Sequence, residues 1–223
     1  MDTNLYGTLG LMIPGLLVVA LVVCSAPPAV AGDPPGSVIE LWDRVKAPPP
    51  PEVVAVRVDP ATTALLVLDI EKRTTNLERR PRAVASVPAI QGLLQRARES
   101  GTAVVFSTTG KGAPEDILPE VAPRSGEPVV KASVDKFFRT DLEAILREKG
   151  IQRVLLVGTA AEGAVLNTAV AAAIRDLEVV VPVDGLSSSE LYAEQYVCWH
   201  LLNAPGTRGK VTLTKTALVS FGP

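Results

Sequence analysis

The chain is short of several residue types that carry chemistry. It has two cysteines, Cys24 and Cys198, one histidine, His200, and 4% aromatic residues among 223 positions. With one histidine there is no histidine-rich metal cluster to assemble, and no cofactor or metal is expected. A disulfide framework is excluded as well: if the N-terminal segment is removed, Cys198 stands alone and has no intrachain partner. Its simplest role is that of a small buried hydrophobe. Charge of one sign is also missing. Lys and Arg number 22 against 24 for Asp and Glu, a net charge of −2, and the basic residues are spread along the chain. That gives no electrostatic case for a nucleic-acid partner. Few aromatics beside 47% hydrophobic residues predict a core built mainly of Val, Leu and Ala.

What is present begins with an apolar stretch, residues 9–26, interrupted only by Ser25. Ala29-Val30-Ala31 comes next with the small-x-small spacing of a signal-peptidase site, so residues 1–31 are expected to be a signal peptide and Gly32 the first mature residue. The protein is then exported, periplasmic or extracellular. Residues 1–8 contain Asp2 and no Lys or Arg, and about 18 apolar residues can just cross a bilayer, so a membrane anchor at 9–26 is the alternative. Lipid on Cys24 is a third option. Any membrane contact is expected only through this segment. Residues 32–60 form a proline-rich arm. Pro48-Pro49-Pro50-Pro51 must be extended polyproline, a stiff strap, and residues 38–45 before it read as a short amphipathic turn carrying Trp42.

From residue 61 to 223 apolar runs alternate with helical patterns. Strands are predicted at 64–68, 103–107, 128–130, 154–157, 179–183 and 210–213, with helices near 82–99, 139–149, 163–177 and 187–203. Pro88 is a possible kink. Residues 109–128, rich in Gly, Pro and acids, are a long excursion of the kind that often rims a site. Strand and helix in alternation predict an α/β domain of three αβα layers, with a six-stranded, mostly parallel, Rossmann-like sheet. The unit at 153–184 is central: an apolar strand, Gly158, a nearly all-apolar helix, and a second apolar strand. The start of that helix lies just past the carboxyl end of a strand, where ligands bind in open α/β sheets.

Three stretches resemble the cysteine hydrolases of the isochorismatase-like family. They are Leu156-Val157-Gly158 with Val165 and Thr168-Ala169, the strand Thr63-Ala64-Leu65-Leu66-Val67-Leu68-Asp69-Ile70, and Val129-Val130-Lys131 followed by Phe137-Phe138-Arg139-Thr140-Asp141-Leu142. The resemblance implies a catalytic Asp at Asp69, a catalytic Lys at Lys131, and a non-proline cis peptide at Thr159–Ala160. It also implies contacts to substrate from Thr159, Ala160 and Glu71. In the family the Asp takes the proton of a Cys thiol that attacks a carbonyl carbon. That Cys aligns with Ala164, which has no nucleophilic atom. Thr168, one helical turn on, is expected to bond to a backbone carbonyl instead.

Three readings remain open. The first is an exported relative lacking the Cys nucleophile, a pseudoenzyme that binds a small molecule without thiol chemistry. The second is an acid-catalysed hydrolase of the isochorismatase type, using Asp69 with Lys131. The third is a structural subunit of an oligomer. A homo-oligomer is expected in any of the three, and a small-molecule ligand in the first two. For Asp69 and Lys131 the plainer alternative is a structural ion pair.

Overall fold

The computed structural model describes residues 35–222. The expected signal peptide, its cleavage site and the anchor at 9–26 lie outside these residues. Among the described residues no helix is long and apolar enough to cross a membrane. Residues up to Pro48 form a unit of their own, in which Trp42–Arg44 is a single 3-10 turn. It is preceded by Ser37, whose amide donates to Glu40 at 2.7 Å.

The main unit runs from Pro49. Its elements in chain order are β1 (Val56–Val58), β2 (Thr63–Leu68), α1 (Pro81–Glu99), β3 (Ala103–Thr108), β4 (Val129–Lys131), α2 (Leu142–Glu148), β5 (Arg153–Thr159), α3 (Leu166–Ala173), β6 (Glu178–Pro182), β7 (Leu186–Ser187), α4 (Leu191–Asn203), β8 (Val211–Thr214) and β9 (Val219–Phe221). A π-helical turn, Ala161–Val165, leads into α3. The sheet has the order β4-β3-β2-β5-β6-β8, with β7 added beside the end of β5, and every pairing is parallel. The four strands expected to be parallel neighbours are adjacent in the order β3-β2-β5-β6. The sheet carries seven strands rather than six because Leu186–Ser187 returns to the β5 edge at Gly158 and Thr159.

Each strand is apolar on both sides because helices cover both faces. Leu66, Leu68, Leu156 and Val181 face α2, α3 and α4. Leu65, Val67, Leu155 and Val180 face α1. α1 continues through Pro88, burying Val87, Ile90, Leu93, Leu94 and Ala97. Val56–Val58 pairs with Val219–Phe221 as a separate two-stranded sheet. The stretch from 49 to 60, expected to belong to the arm, falls in the main unit instead: Val56–Val58 is paired into a sheet, the Val54 N–H donates to the Leu213 carbonyl at 3.2 Å, and Val58 is fully buried. The 109–128 excursion is packed down. Ile117 bridges to Glu71, and Ile117 and Val121 are buried in the α1-side core.

Candidate active site

Strand β2 is buried along its whole length, so the residue after it, Asp69, is delivered to the middle of the sheet's carboxyl edge. Asp69 takes φ +54°, the left-handed region that Asp tolerates better than most residues. Two backbone anchors hold it there. Its N–H donates to the Ser107 carbonyl at 3.2 Å. Its own carbonyl accepts from Thr74 Oγ1. Turned this way, the carboxylate accepts from Ser107 Oγ at 2.7 Å on Oδ1 and from Lys136 Nζ at 2.8 Å on Oδ2.

The lysine of the pair is Lys136, not Lys131. Lys131 is exposed on the edge strand β4. Val130, in register with Ser107, turns into the core. Side chains alternate along a strand, so Lys131 points away from the face on which Ser107 meets Asp69. The chain reaches Asp69 only after a further turn, at Lys136, whose side chain is completely buried. Its ammonium also donates to the carbonyls of Ser133 at 2.6 Å and Ala132 at 3.0 Å. With the Thr108 carbonyl a further, longer partner at 3.4 Å, all three N–H groups are engaged, and the positive charge is shared between the carboxylate and three carbonyl dipoles. Thr168 on α3 supports the turn. Its Oγ1 accepts the Lys136 N–H at 3.3 Å and donates to the Val134 carbonyl at 3.4 Å, so its hydroxyl is bonded to backbone as expected.

Burial is the main influence on Asp69. It raises the carboxyl above the ordinary aspartate value, against the pull of Lys136 and the hydrogen bond from Ser107, with Glu71 adding a smaller push upward. The two carboxylates differ in role. Glu71 is fully buried, with its oxygens held by Thr109 Oγ1 at 2.7 Å and the Thr109 N–H at 3.2 Å. It lies so close to Gly112 that a Cβ there would come within 2.0 Å of its Oε2. Glu71 therefore clamps the root of the 109–128 excursion beside the site.

The other half of the site is the turn after β5. Gly158, at φ +139°, lies against β2, and a Cβ on it would sit 2.1 Å from the Leu68 carbonyl oxygen. Only glycine permits this approach. Thr159–Ala160 is a cis peptide, as the resemblance implied. Thr159 Oγ1 donates to the Ser187 carbonyl at 3.0 Å, and the Ala160 carbonyl accepts the N–H groups of Gly163 at 3.0 Å and Val165 at 3.2 Å. The π-helical turn so formed carries Ala164, buried in the same apolar cluster as Leu68 and Phe137. Asp69, Thr159, Ala160 and Ala164 are thus gathered at the carboxyl ends of β2 and β5, neighbouring strands. Among the described residues, no three of His, Cys, Asp or Glu come together as metal ligands do.

Sequence reasoning missed Lys136, Ser107 and Arg80. A signal for Ser107 was its place as the last residue of the strand expected at 103–107; in the structure it stands opposite Leu68, the residue before Asp69. Arg80 sits at the start of α1, its electrostatic surroundings including Glu162 and Asp69.

Comparison with known proteins agrees with this geometry. The isochorismatase domain family matches residues 63–214, from β2 through β8. A secreted isochorismatase effector of Verticillium dahliae is 32% identical over 118 residues, covering 48% of this chain and 62% of that protein. The match thus spans less than two thirds of that relative. An isochorismatase family protein of Desulfovibrio vulgaris superposes with a TM-score of 0.62 at 25% identity, covering 70% of this chain and 95% of that one. An isochorismatase-like hydrolase of Alkaliphilus metalliredigens has a TM-score of 0.63 at 22% identity, covering 70% and 95%. The buried Asp–Lys pair and the cis turn stand on a parallel sheet that this family shares, and the chain belongs to the isochorismatase family.

Proposed function

We propose that the protein is a thiol-independent hydrolase in which Asp69 is the general acid acting on a vinyl ether of the isochorismate type. The observation that carries this reading is a carboxyl group whose proton affinity is raised by burial and which is fixed by Ser107 and Lys136; buried Ala164, which the resemblance aligns with the family's nucleophilic Cys, offers no thiol. An acid working near neutral pH needs a raised pKa, and desolvation supplies it. Lys136 alone would hold Asp69 ionised. Sharing its ammonium with the Ser133 and Ala132 carbonyls weakens that opposition.

The chemistry balances without a thiol. The Asp69 proton passes to the terminal methylene carbon of the enol ether, leaving an oxocarbenium ion. Water adds to the cationic carbon and returns a proton to the carboxylate. The hemiketal then collapses to a keto acid and the ring alcohol. The name of the Verticillium relative supports both the substrate class and export, in keeping with the reading of residues 1–31 as a signal peptide. Binding without turnover, and a purely structural role, are the competing readings.

The test is pyruvate release from isochorismate by the full chain, followed by coupled oxidation of NADH. Turnover is expected to survive alkylation of all thiols and to fall about 10²–10⁴-fold in Asp69→Asn, the usual contribution of a general acid. No pyruvate from the native protein, or undiminished turnover in Asp69→Asn, overturns the proposal.

A further inference from the structure

Three of the four buried polar side-chain atoms without a hydrogen-bond partner among the described residues lie at the carboxyl end of the sheet: Thr108 Oγ1, Ser187 Oγ and Arg80 Nε. A buried donor without a protein acceptor costs stability, and each such group calls for a partner from outside the chain, a ligand or a water, or for a role in the site. Ser187 is 1% exposed. Its neighbour Leu186 packs in the cluster with Leu68 and Ala164, so alternation turns Ser187 to the opposite side, where α1 lies.

The start of α1 is stapled to this segment on both sides of Arg80. Ser189 Oγ donates to the Arg79 carbonyl at 3.5 Å. Arg82 grips Glu194 with Nε at 2.7 Å and with Nη2, and the same Glu194 accepts the Ser188 N–H at 2.8 Å. Arg80 is left between these contacts. Among the described residues it forms no ion pair, although Glu162 and Asp69 both bear on its charge. Glu162 is instead held by Ser188 Oγ at 2.6 Å. A guanidinium with a free, dry Nε is suited to an incoming carboxylate, which it can meet with two parallel N–H groups.

We infer that Arg80 and Ser187 form a carboxylate-binding subsite on the α1 side of Asp69, which takes the anionic end of the substrate. This deepens the proposed function and rests on it for the identity of the substrate, but not for the existence of the subsite. Arg80 supplies the charge and the Nε donor, and Ser187 Oγ a second donor.

The test is calorimetric titration of the full chain with benzoate and with its neutral isostere benzamide. Benzoate is expected to bind at least about tenfold more tightly, as a charge-assisted hydrogen bond implies. Arg80→Met should bring the ratio near one, Ser187→Ala should lower it in part, and Lys131→Met, on the exposed edge strand, should preserve it. If Arg80→Met does not fold, Arg80→Gln, which removes the charge and keeps a polar side chain, carries the same comparison. A native protein that does not prefer benzoate, or a folded Arg80 variant with the native ratio, overturns the subsite. Asp69-dependent turnover with an unchanged KM in Arg80→Met removes the subsite alone. An Arg80-dependent preference for benzoate without any turnover removes the catalytic reading alone.

Discussion

Replacing Lys136 by Met should be one of the most damaging single changes available in this protein. The Lys136 side chain is 0% exposed and that of Asp69 5%, and they meet at 2.8 Å. The substitution leaves the carboxylate with Ser107 Oγ alone, and the Ala132 and Ser133 carbonyls lose their donor. Breaking a buried pair from one side costs about 3–5 kcal/mol, because the remaining charge stays desolvated. Against a total stability of about 5–15 kcal/mol this is a large fraction. Urea unfolding followed by circular dichroism reads it directly as a lower midpoint at unchanged slope. Removing both charges, in Asp69→Leu with Lys136→Met, should recover most of the loss, since an apolar pair needs no counter-charge. Lys131→Met, on the exposed edge, should stay within about 0.5 kcal/mol of the native protein.

The pH dependence adds a second check. The native Asp69 carboxyl titrates above its ordinary value of 3.8. Between that value and the folded one, the native state holds more protons than the unfolded chain, so this group's contribution to stability falls as pH rises through the window. Without Lys136 the folded value climbs further, because the charge that lowered it is gone. The deficit of Lys136→Met should therefore be greatest at neutral pH and shrink as pH falls towards 3.8. A loss below about 1 kcal/mol at neutral pH, or a deficit that grows on acidification, would refute the ion-pair account.

The same geometry sets other outcomes. Gly158→Ala places a Cβ 2.1 Å from the Leu68 carbonyl at a left-handed φ, and should lower stability by about 3 kcal/mol in the same unfolding assay. Ala164→Cys introduces a thiol beside the Asp69–Lys136 pair. It should react with iodoacetamide faster than Cys198, whose thiol is pushed up by burial and by Glu194, and equal slow rates at both sulfurs would show a site no longer shaped for thiol chemistry. Pyruvate release should decline as pH rises through the raised Asp69 value, because only the protonated carboxyl is an acid. A flat profile over pH 4–8 would remove Asp69 from that role.

The strands and their neighbours were legible because burial on both faces writes itself as uninterrupted apolar runs, as at 64–68 and 154–157. The acid closing the first run was equally plain. Three-residue strands such as Val56–Val58 and Val219–Phe221 leave no such trace, since each is defined by a partner 163 residues away in the pairing of Val56 with Val219. The two-residue strand Leu186–Ser187 is invisible for the same reason.

The misplaced lysine shows where local reading ends. Lys131 directly follows an apolar pair, which makes it look like the residue a strand delivers to its carboxyl end. Alternation alone argues otherwise, since Val130 occupies the inward side and Lys131 must take the outward one. Lys136 sits between Asp135 and Phe137 in a turn, with nothing nearby to mark it as buried. A lysine there would ordinarily keep its ammonium in water. What permits its burial is a carboxylate 67 residues earlier, together with carbonyls that the intervening turn aims at the same point. Neither condition can be read from the residues flanking Lys136. The proton affinity of Asp69, on which the proposed chemistry depends, has the same origin. It is set by how completely β3, β5 and the Lys136 turn exclude water, and so belongs to the assembled sheet edge rather than to the strand that ends in it.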